Sequence, residues 1–370
     1  METIGIIGMG KLGLCLAINL ERAGFSVAGA ESDGDRRNAI RQRSVRSREK
    51  GLKEELKACR NLEVYSGIAE VLASDAKVVF VCVQTPSVEG GGYDHGRIVE
   101  LLEEFASVGR SIVLRDLVIV STTMPGCCEA MAEKLLSLNW NVLYNPEFIS
   151  QGNILEEQRN PQQILIGCAS KEKGERLLSI WKKTITNQPE IHFLSFTEAE
   201  IAKIATNCFL TMKISFANAI GDLAKMSGAE PGKVLEAIGA DSRIGNLFLK
   251  YGFGFGGPCL PRDNQALLKY AAGLGMTLLL SDAAVKENQN HLEWQFREMC
   301  VQHPNGNVIE FDSITYKPGT GITEESQQLA LALMLANSGR KVLIQESEEV
   351  IAGLQRDFAD LFQYKIRDAE

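Results

Sequence analysis

Residues 3–31, TIGIIGMGKLGLCLAINLERAGFSVAGAE, decide the fold. Residues 3–7 are a short apolar run and read as a strand. Leu12, Leu16 and Leu20 recur at helical spacing over residues 11–23, and Phe25–Ala30 reads as a second strand. Between the first strand and the helix lies Gly8-Met9-Gly10-Lys11-Leu12-Gly13, the spacing G-x-G-x-x-G. Glycines so placed permit a tight turn. They also let a pyrophosphate approach the helix N-terminus, whose unpaired N–H groups and dipole favour an anion. Glu31 ends the second strand, 23 residues beyond Gly8, where it can accept hydrogen bonds from a ribose 2′-hydroxyl. A carboxylate there repels a 2′-phosphate, so NAD is expected over NADP. Arg36 and Arg37 leave NADP as the alternative.

Outward from this unit the β/α alternation continues. Lys77–Val83 and Leu117–Ser121 are buried-strand runs, and Asn141–Tyr144 and Gln163–Gly167 are shorter ones. Strands alternating with helices predict an α/β, Rossmann-like doubly wound parallel sheet over residues 1–196. Thr197-x-x-Glu200 has the capping-box pattern and opens a helical stretch to about Gly228. Pro231 starts another helix at its first position, and residues 264–300 are mostly helical. Residues 197–303 therefore read as an all-α segment. From Asn305 the pattern reverts: strand Val308–Thr315, helix Glu324–Asn337, strand Lys341–Gln345 and a last helix near Val350–Phe362. A small α/β segment over 304–370 is expected.

Composition excludes several classes. The 370 residues are too many for one ordinary core, and 45% hydrophobic with 23% charged residues reads as globular and soluble. Net charge is −8, and the basic stretch Arg41–Lys53 also carries Glu49, so a solvated face is expected and nucleic acid is not. No apolar run approaches the ~18–20 residues of a membrane span. The chain enters its first strand with no signal-peptide layout. Nine cysteines make an odd count without metal-ligand spacing. Reduced thiols in the cytoplasm and no metal are expected.

The stretch GFGFGGPCLPRDN, residues 252–264, puts Cys259 after a glycine run. Pro261 reads as the first residue of a helix, so Cys259 lies just before a positive helix end, which favours thiolate. Asp263 falls in the first turn. Cys259 is thus a nucleophile or a small buried residue of a tight loop.

The chain resembles the UDP-glucose/GDP-mannose dehydrogenase family over most of its length. The matching stretches come in order: IGIIGMGKLG; VCVQTP followed by Asp94; STTMPG; NPEFISQGN with NPQQILIG; EIAKIATNCFL; DSRIGNLFLKYGFGFGGPCLPRD; and ITYKPGTGITEES. The resemblance implies that Cys259 forms a covalent adduct while a sugar C6 alcohol is oxidised twice, by way of a thiohemiacetal and a thioester. It implies that Lys203 and Asn207 stabilise oxyanions at C6, and their i,i+4 spacing puts them on one helix face. Glu147 is then the general base of hydrolysis, with Thr122 and Asp263 positioning water. Lys11, Leu12, Thr85, Pro86 and Thr122 join Gly8, Gly10, Gly13 and Glu31 on the cofactor side. Phe148, Gln151, Lys203, Asn207, Arg243, Phe248, Lys250, Gly256 and Lys317 fall on the nucleotide-sugar side. In the family the arginine matched by Arg243 reaches a neighbouring subunit, implying a homodimer built on the helical segment.

Some positions depart from the family pattern. Gln151 stands where glucose-type members commonly carry glutamate. Pro258 replaces a serine and removes an N–H donor. Arg262 replaces a lysine, and Glu324 stands in place of an arginine. Only 53 residues follow Lys317, so a shortened C-terminal α/β segment is expected. The leading expectation is four-electron oxidation of a nucleotide sugar. Two alternatives remain. One is a two-electron dehydrogenase of the 3-hydroxyacid/6-phosphogluconate type, which shares the glycine start, an STTMPG-like turn and a helix-borne lysine and asparagine. The other is a non-catalytic binder of NAD or a sugar nucleotide.

Overall fold

The structure, a computed structural model, describes residues 1–304 and 306–367. Asn305 and residues 368–370, the end of the expected third segment, lie outside the described residues. The chain divides into two compact units, residues 1–89 with 93–203, and 90–92 with 204–370.

The first unit is built on eight strands: β1 (Thr3–Ile7), β2 (Ser26–Ala30), β3 (Leu62–Tyr65), β4 (Val78–Val81), β5 (Arg115–Ile119), β6 (Trp140–Tyr144), β7 (Gln163–Gly167) and β8 (Glu190–Leu194). Their order is β3-β2-β1-β4-β5-β6-β7-β8. Side chains alternate between faces, as a two-residue period requires. Ile4, Ile6, Val78 and Phe80 pack with the helix Lys11–Arg22 in one core. Ile7, Val79, Val81 and Ile119 pack with the helices Gly96–Val108 and Cys127–Leu136 in the other. Both faces are covered, so the strands are apolar almost throughout. This is the expected Rossmann-like, doubly wound sheet, with one correction. β6 and β7 are antiparallel and meet only at Tyr144 and Gly167. The joining segment 145–162 holds one helix of six residues, Ile154–Arg159, about 9 Å long.

The chain reverses direction across the sheet between β1 and β4. Ligands of such sheets bind in the crevice outside the strand ends at that switch point. The glycine turn after β1 and the segment after β4 both lie there.

In the second unit the helix Phe196–Met226, from residue 204 onward, is followed by Pro231–Gly239, Leu260–Gly273 and Leu279–Gln302. A parallel three-stranded sheet comes next, β9 (Val308–Phe311), β10 (Lys341–Glu346) and β11 (Gln363–Ile366), ordered β11-β10-β9. Its core joins Ile309, Phe311, Leu331, Leu335, Val342 and Ile344. The strand expected to reach Thr315 stops at Phe311, and the helix expected from Glu324 starts at Gln327. The Ser326 side chain decides that start by accepting the Leu329 N–H at 3.2 Å.

The capping box at the long helix also lies elsewhere. Ser195 and Glu198 exchange the reciprocal bonds, 2.8 Å from the Ser195 N–H to Glu198 Oε2 and 3.4 Å from the Glu198 N–H to Ser195 Oγ. Glu200 is thereby released for another task. Among the described residues, no helix is long and apolar enough to cross a membrane, and no three His, Cys, Asp or Glu side chains group as a metal site.

Candidate active site

Gly8 adopts φ +90°, a conformation that only glycine takes without strain. A Cβ on Gly13 would stand 2.0 Å from the Gly8 carbonyl oxygen, so helix and turn can close only without one. Beside Gly10 a Cβ would meet no heavy atom within 4 Å. The turn is tight on one side and open on the other, which suits a pyrophosphate at the helix N-terminus. Glu31 is buried, and its Oε1 accepts the Asp33 N–H at 3.0 Å. Arg36 donates to the Met9 carbonyl at 2.6 Å and lies 3.7 Å from Glu31 Oε2. Arg37 donates to the Glu31 carbonyl at 2.8 Å and the Ser32 carbonyl at 3.2 Å. Both arginines are engaged in shaping the turn beside Glu31. Lys11 Nζ reaches Gln151 Oε1 at 3.3 Å, linking the glycine turn to the segment after NPEF.

The STTMPG turn, residues 121–126, is fixed from three directions. Thr85, buried, donates to the Thr122 carbonyl at 2.9 Å, while Pro86 beside it is exposed. His95 Nε2 accepts the Met124 N–H at 3.2 Å. Glu200, fully buried, accepts from Thr123 Oγ1 at 2.8 Å, the Gly126 N–H at 2.6 Å and the Cys128 N–H at 2.9 Å. A carboxylate accepting at the first turn of the helix Cys127–Leu136 also meets that helix's positive end. Burial lowers the His95 imidazole below its usual value, while the Asp94 carboxylate pulls the other way.

Glu147 of NPEF is half-buried. Burial pushes its carboxyl up to about 7, while a hydrogen bond from Gln158 and the Lys203 ammonium pull the other way. Lys203 is buried, with Nζ 4.5 Å from the centre of the Phe148 ring. A small cleft is lined by Asn145, Glu147, Phe148, Glu157, Gln158 and Trp181 among others. The first unit therefore brings Glu147, Phe148 and Lys203 together.

In the second unit Asn207 Nδ2 donates to Asp263 Oδ2 at 2.6 Å, and Asp263 is buried. Cys259 is the N-cap residue of the helix Leu260–Gly273, and its carbonyl accepts the Asp263 N–H at 2.9 Å. Of nine cysteines it alone is exposed. Burial raises the thiols of Cys15, Cys127 and Cys208 to about 12, so none is poised as a thiolate.

The glycine run before Cys259 is held by side chains that the sequence reading did not single out. Asn218 accepts the Gly252 N–H at 3.0 Å. Asn288 accepts the Phe255 N–H at 2.8 Å and donates to its carbonyl at 3.0 Å. His291 lies between Asp222 Oδ2, 2.8 Å from Nδ1, and the Gly252 carbonyl, 2.7 Å from Nε2. At Gly256 a Cβ would stand 2.1 Å from the Glu325 carbonyl oxygen, and at Gly257 2.4 Å from the Tyr316 ring. The groups that approach this backbone closely come from the segment before the helix Gln327–Asn337.

The remaining expected substrate residues lie at or near the surface. Arg243 is exposed and paired with its own Asp241, Nη2 to Oδ2 at 2.6 Å. Phe248 is exposed with φ +61°, rare for a bulky side chain. Lys250 is exposed and Lys317 half-buried.

Two sequence models match the chain. One is the NAD binding domain of the UDP-glucose/GDP-mannose dehydrogenase family, over residues 2–185, and the other is that family's central domain, over residues 197–290. A UDP-glucose 6-dehydrogenase of Pseudomonas aeruginosa is 30% identical over 353 residues, covering 91% of this chain and 77% of that protein. A GDP-mannose 6-dehydrogenase of the same organism is 28% identical over 354 residues, covering 92% and 80%. The solved structure of a UDP-glucose dehydrogenase from Pyrobaculum islandicum aligns with a TM-score of 0.89 at 27% identity, over 99% of this chain and 86% of that one. With the open glycine turn and Glu31, the first match identifies the dinucleotide as NAD. The chain belongs to the UDP-glucose/GDP-mannose dehydrogenase family.

Proposed function

We propose that this chain oxidises the C6 alcohol of a nucleotide sugar of the UDP-glucose type to the carboxylate, through a covalent adduct on Cys259. The supporting observation is Cys259 itself: the one exposed thiol of nine, at the start of the helix Leu260–Gly273. NAD, when bound, accepts a hydride from the sugar carbon in each of two oxidations. Gly8, Gly10, Lys11, Leu12, Gly13, Glu31, Thr85, Pro86 and Thr122 would hold it.

The other steps belong to the protein. As the first hydride leaves C6 the alcohol proton passes to solvent and the aldehyde forms. The Cys259 thiolate adds to the aldehyde carbon, the carbonyl oxygen takes a proton from solvent, and a thiohemiacetal forms. Loss of the second hydride, with that proton returned to solvent, leaves a thioester. Water then adds to the thioester carbon, Glu147 takes the water's proton, and the C–S bond breaks to return the thiolate. Lys203 and Asn207 stabilise the oxyanions at C6 by charge and hydrogen bonding. Asn207 has a second amide hydrogen for this while the first engages Asp263. Asp263 and Thr122 position the water. Phe148, Gln151, Arg243, Phe248, Lys250, Gly256 and Lys317 are assigned to the nucleotide sugar. We also propose that the chain acts in the cytoplasm as a homodimer through its helical segment.

The test is the NADH formed per substrate consumed, across a panel of UDP-, GDP- and TDP-linked sugars. Two NADH are expected. One would favour a simple alcohol dehydrogenase and none a binding protein.

A further inference from the structure

We propose, resting on the reading of Glu147 as the base, that Gln158 is a positioning residue that holds the Glu147 carboxylate in one orientation. Gln158 is in turn locked by a hydrogen-bond chain through Asn19 and Arg159 to Glu55.

The chain's direction follows from its donors and acceptors. A guanidinium only donates. Arg159 binds both carboxylate oxygens of Glu55, 2.9 Å from Nη1 to Oε1 and closer at Nη2. Its Nε donates to Asn19 Oδ1 at 2.7 Å. That contact fixes the Asn19 amide with oxygen toward Arg159. Its Nδ2 must then donate the other way, to the Leu155 carbonyl at 3.2 Å and Gln158 Oε1 at 3.0 Å. With its oxygen so used, Gln158 turns Nε2 to Glu147 Oε1, 3.2 Å away. Neither amide can rotate without setting donor against donor. Asn19, Gln158 and Arg159 are 2%, 1% and 8% exposed, so water does not substitute for the links of Asn19 to Gln158 and to Arg159.

Three elements meet in this chain: Asn19 from the helix Lys11–Arg22 that opens on the glycine turn, Gln158 and Arg159 from Ile154–Arg159, and Glu55 from Leu52–Ala58. The base is thus tied to the helix behind the dinucleotide turn. The same small cleft borders both Glu147 and Gln158.

The electrostatics agree. Burial raises the Glu147 pKa, and the fixed Gln158 N–H opposes it by stabilising the ionised form. Lys203 acts in the same sense from the helix Phe196–Met226. Cys15 and Cys82 also interact with Glu147, but burial raises both thiols far above neutrality, leaving them uncharged there. Glu157 lines the same cleft and is held by the Ser150 N–H and by Ser150 Oγ at 3.0 Å. Without Gln158, Glu147 keeps the burial and loses a fixed donor.

The test needs no substrate. The Glu147 carboxyl carbon is followed by NMR through a pH titration of the full chain, its signal assigned by its loss in Glu147→Gln. In Gln158→Met, which keeps length and removes the donor, the midpoint is expected to rise by about one pH unit. Asn19→Ala lets the Gln158 amide rotate and is expected to move it the same way by less. It also serves if Gln158→Met does not fold. Midpoints unchanged in the folded variants overturn the proposal. In turnover, Gln158→Met should move the acid limb of product release alkaline by the same amount and leave the first NADH burst unchanged. Shifted titrations in a chain that forms no NADH with any sugar nucleotide uphold the positioning and overturn the dehydrogenase reading.

Discussion

At the scale of single residues, two side chains carry opposite electrostatic designs. Cys259 is exposed at a helix start, where a thiolate is favoured. Glu147 is half-buried, and its desolvation opposes ionisation until about pH 7. A base with that pKa is half ionised near neutrality, the range in which general bases work best. The hydrolytic step should therefore gain rate as pH rises through about 7 and lose it below, and Glu147→Gln should abolish that limb. The same shift has a stability consequence. The folded carboxyl keeps its proton up to about 7 and the unfolded one only to the ordinary 4.5. The native state thus binds more protons between those values, and stability falls as pH rises through that window. Thermal melts of wild type and Glu147→Gln should diverge from about pH 5 to 7, with the variant gaining; parallel curves would show that the folded chain does not raise the Glu147 pKa. For Cys259→Ser, turnover is expected to stall after substrate binds while NAD affinity holds. Carboxylate formed at the wild-type rate would remove the thiol from the mechanism.

At the scale of elements, legibility tracked how locally each feature is encoded. The unit β1, glycine turn, helix and β2 is written in consecutive residues, and the structure reproduces it almost residue for residue. LEVY, EIHFL and QYKI, which form β3, β8 and β11, are edge strands with polar residues among few apolar ones, and no periodicity announces them. Glu200 fits a capping box in sequence, yet its carboxylate serves residues more than 70 positions earlier, a relation no window contains. Gln158, Asn218 and Asn288 escaped notice for the same reason, since a lone buried amide carries no local pattern. These supports predict where the cysteine loop is vulnerable. Asn288→Ala strips the Phe255 N–H and carbonyl of their partner in a buried site, which costs about 1–3 kcal/mol per unsatisfied group. The variant should melt lower and show faster hydrogen exchange over residues 252–259, with NAD binding in the first unit intact. Unchanged exchange there would mean that the glycine run is held by its close contacts with Tyr316 and Glu325 alone.

At the scale of the whole molecule, the second unit exposes an apolar row on its long helix. On the helix Phe196–Met226, Phe209, Phe216 and Leu223 are 60%, 49% and 59% exposed, seven residues apart, and Met226 one turn on is 76% exposed. A seven-residue repeat keeps one stripe on one side of a helix. Exposed aromatic and aliphatic side chains in such a row mark an interaction surface. A second copy of the chain is the proposed occupant, which would also explain why Arg243 stands at the surface bound to Asp241. Charging the stripe with Phe216→Lys and Leu223→Lys should halve the mass seen by light scattering, since two buried ammonium groups per copy cannot be paired. The glycine turn and Glu31 lie in the other unit, so NAD affinity should survive and should still exceed that for NADP by at least ~10-fold, about 1.4 kcal/mol. Nucleotide-sugar affinity should fall in the same variant, and Arg243→Ala in the intact dimer should reproduce that fall without changing the mass. A wild-type chain that runs as a monomer at every concentration, or a charged variant that keeps the dimer mass, would remove the helical stripe as the interface.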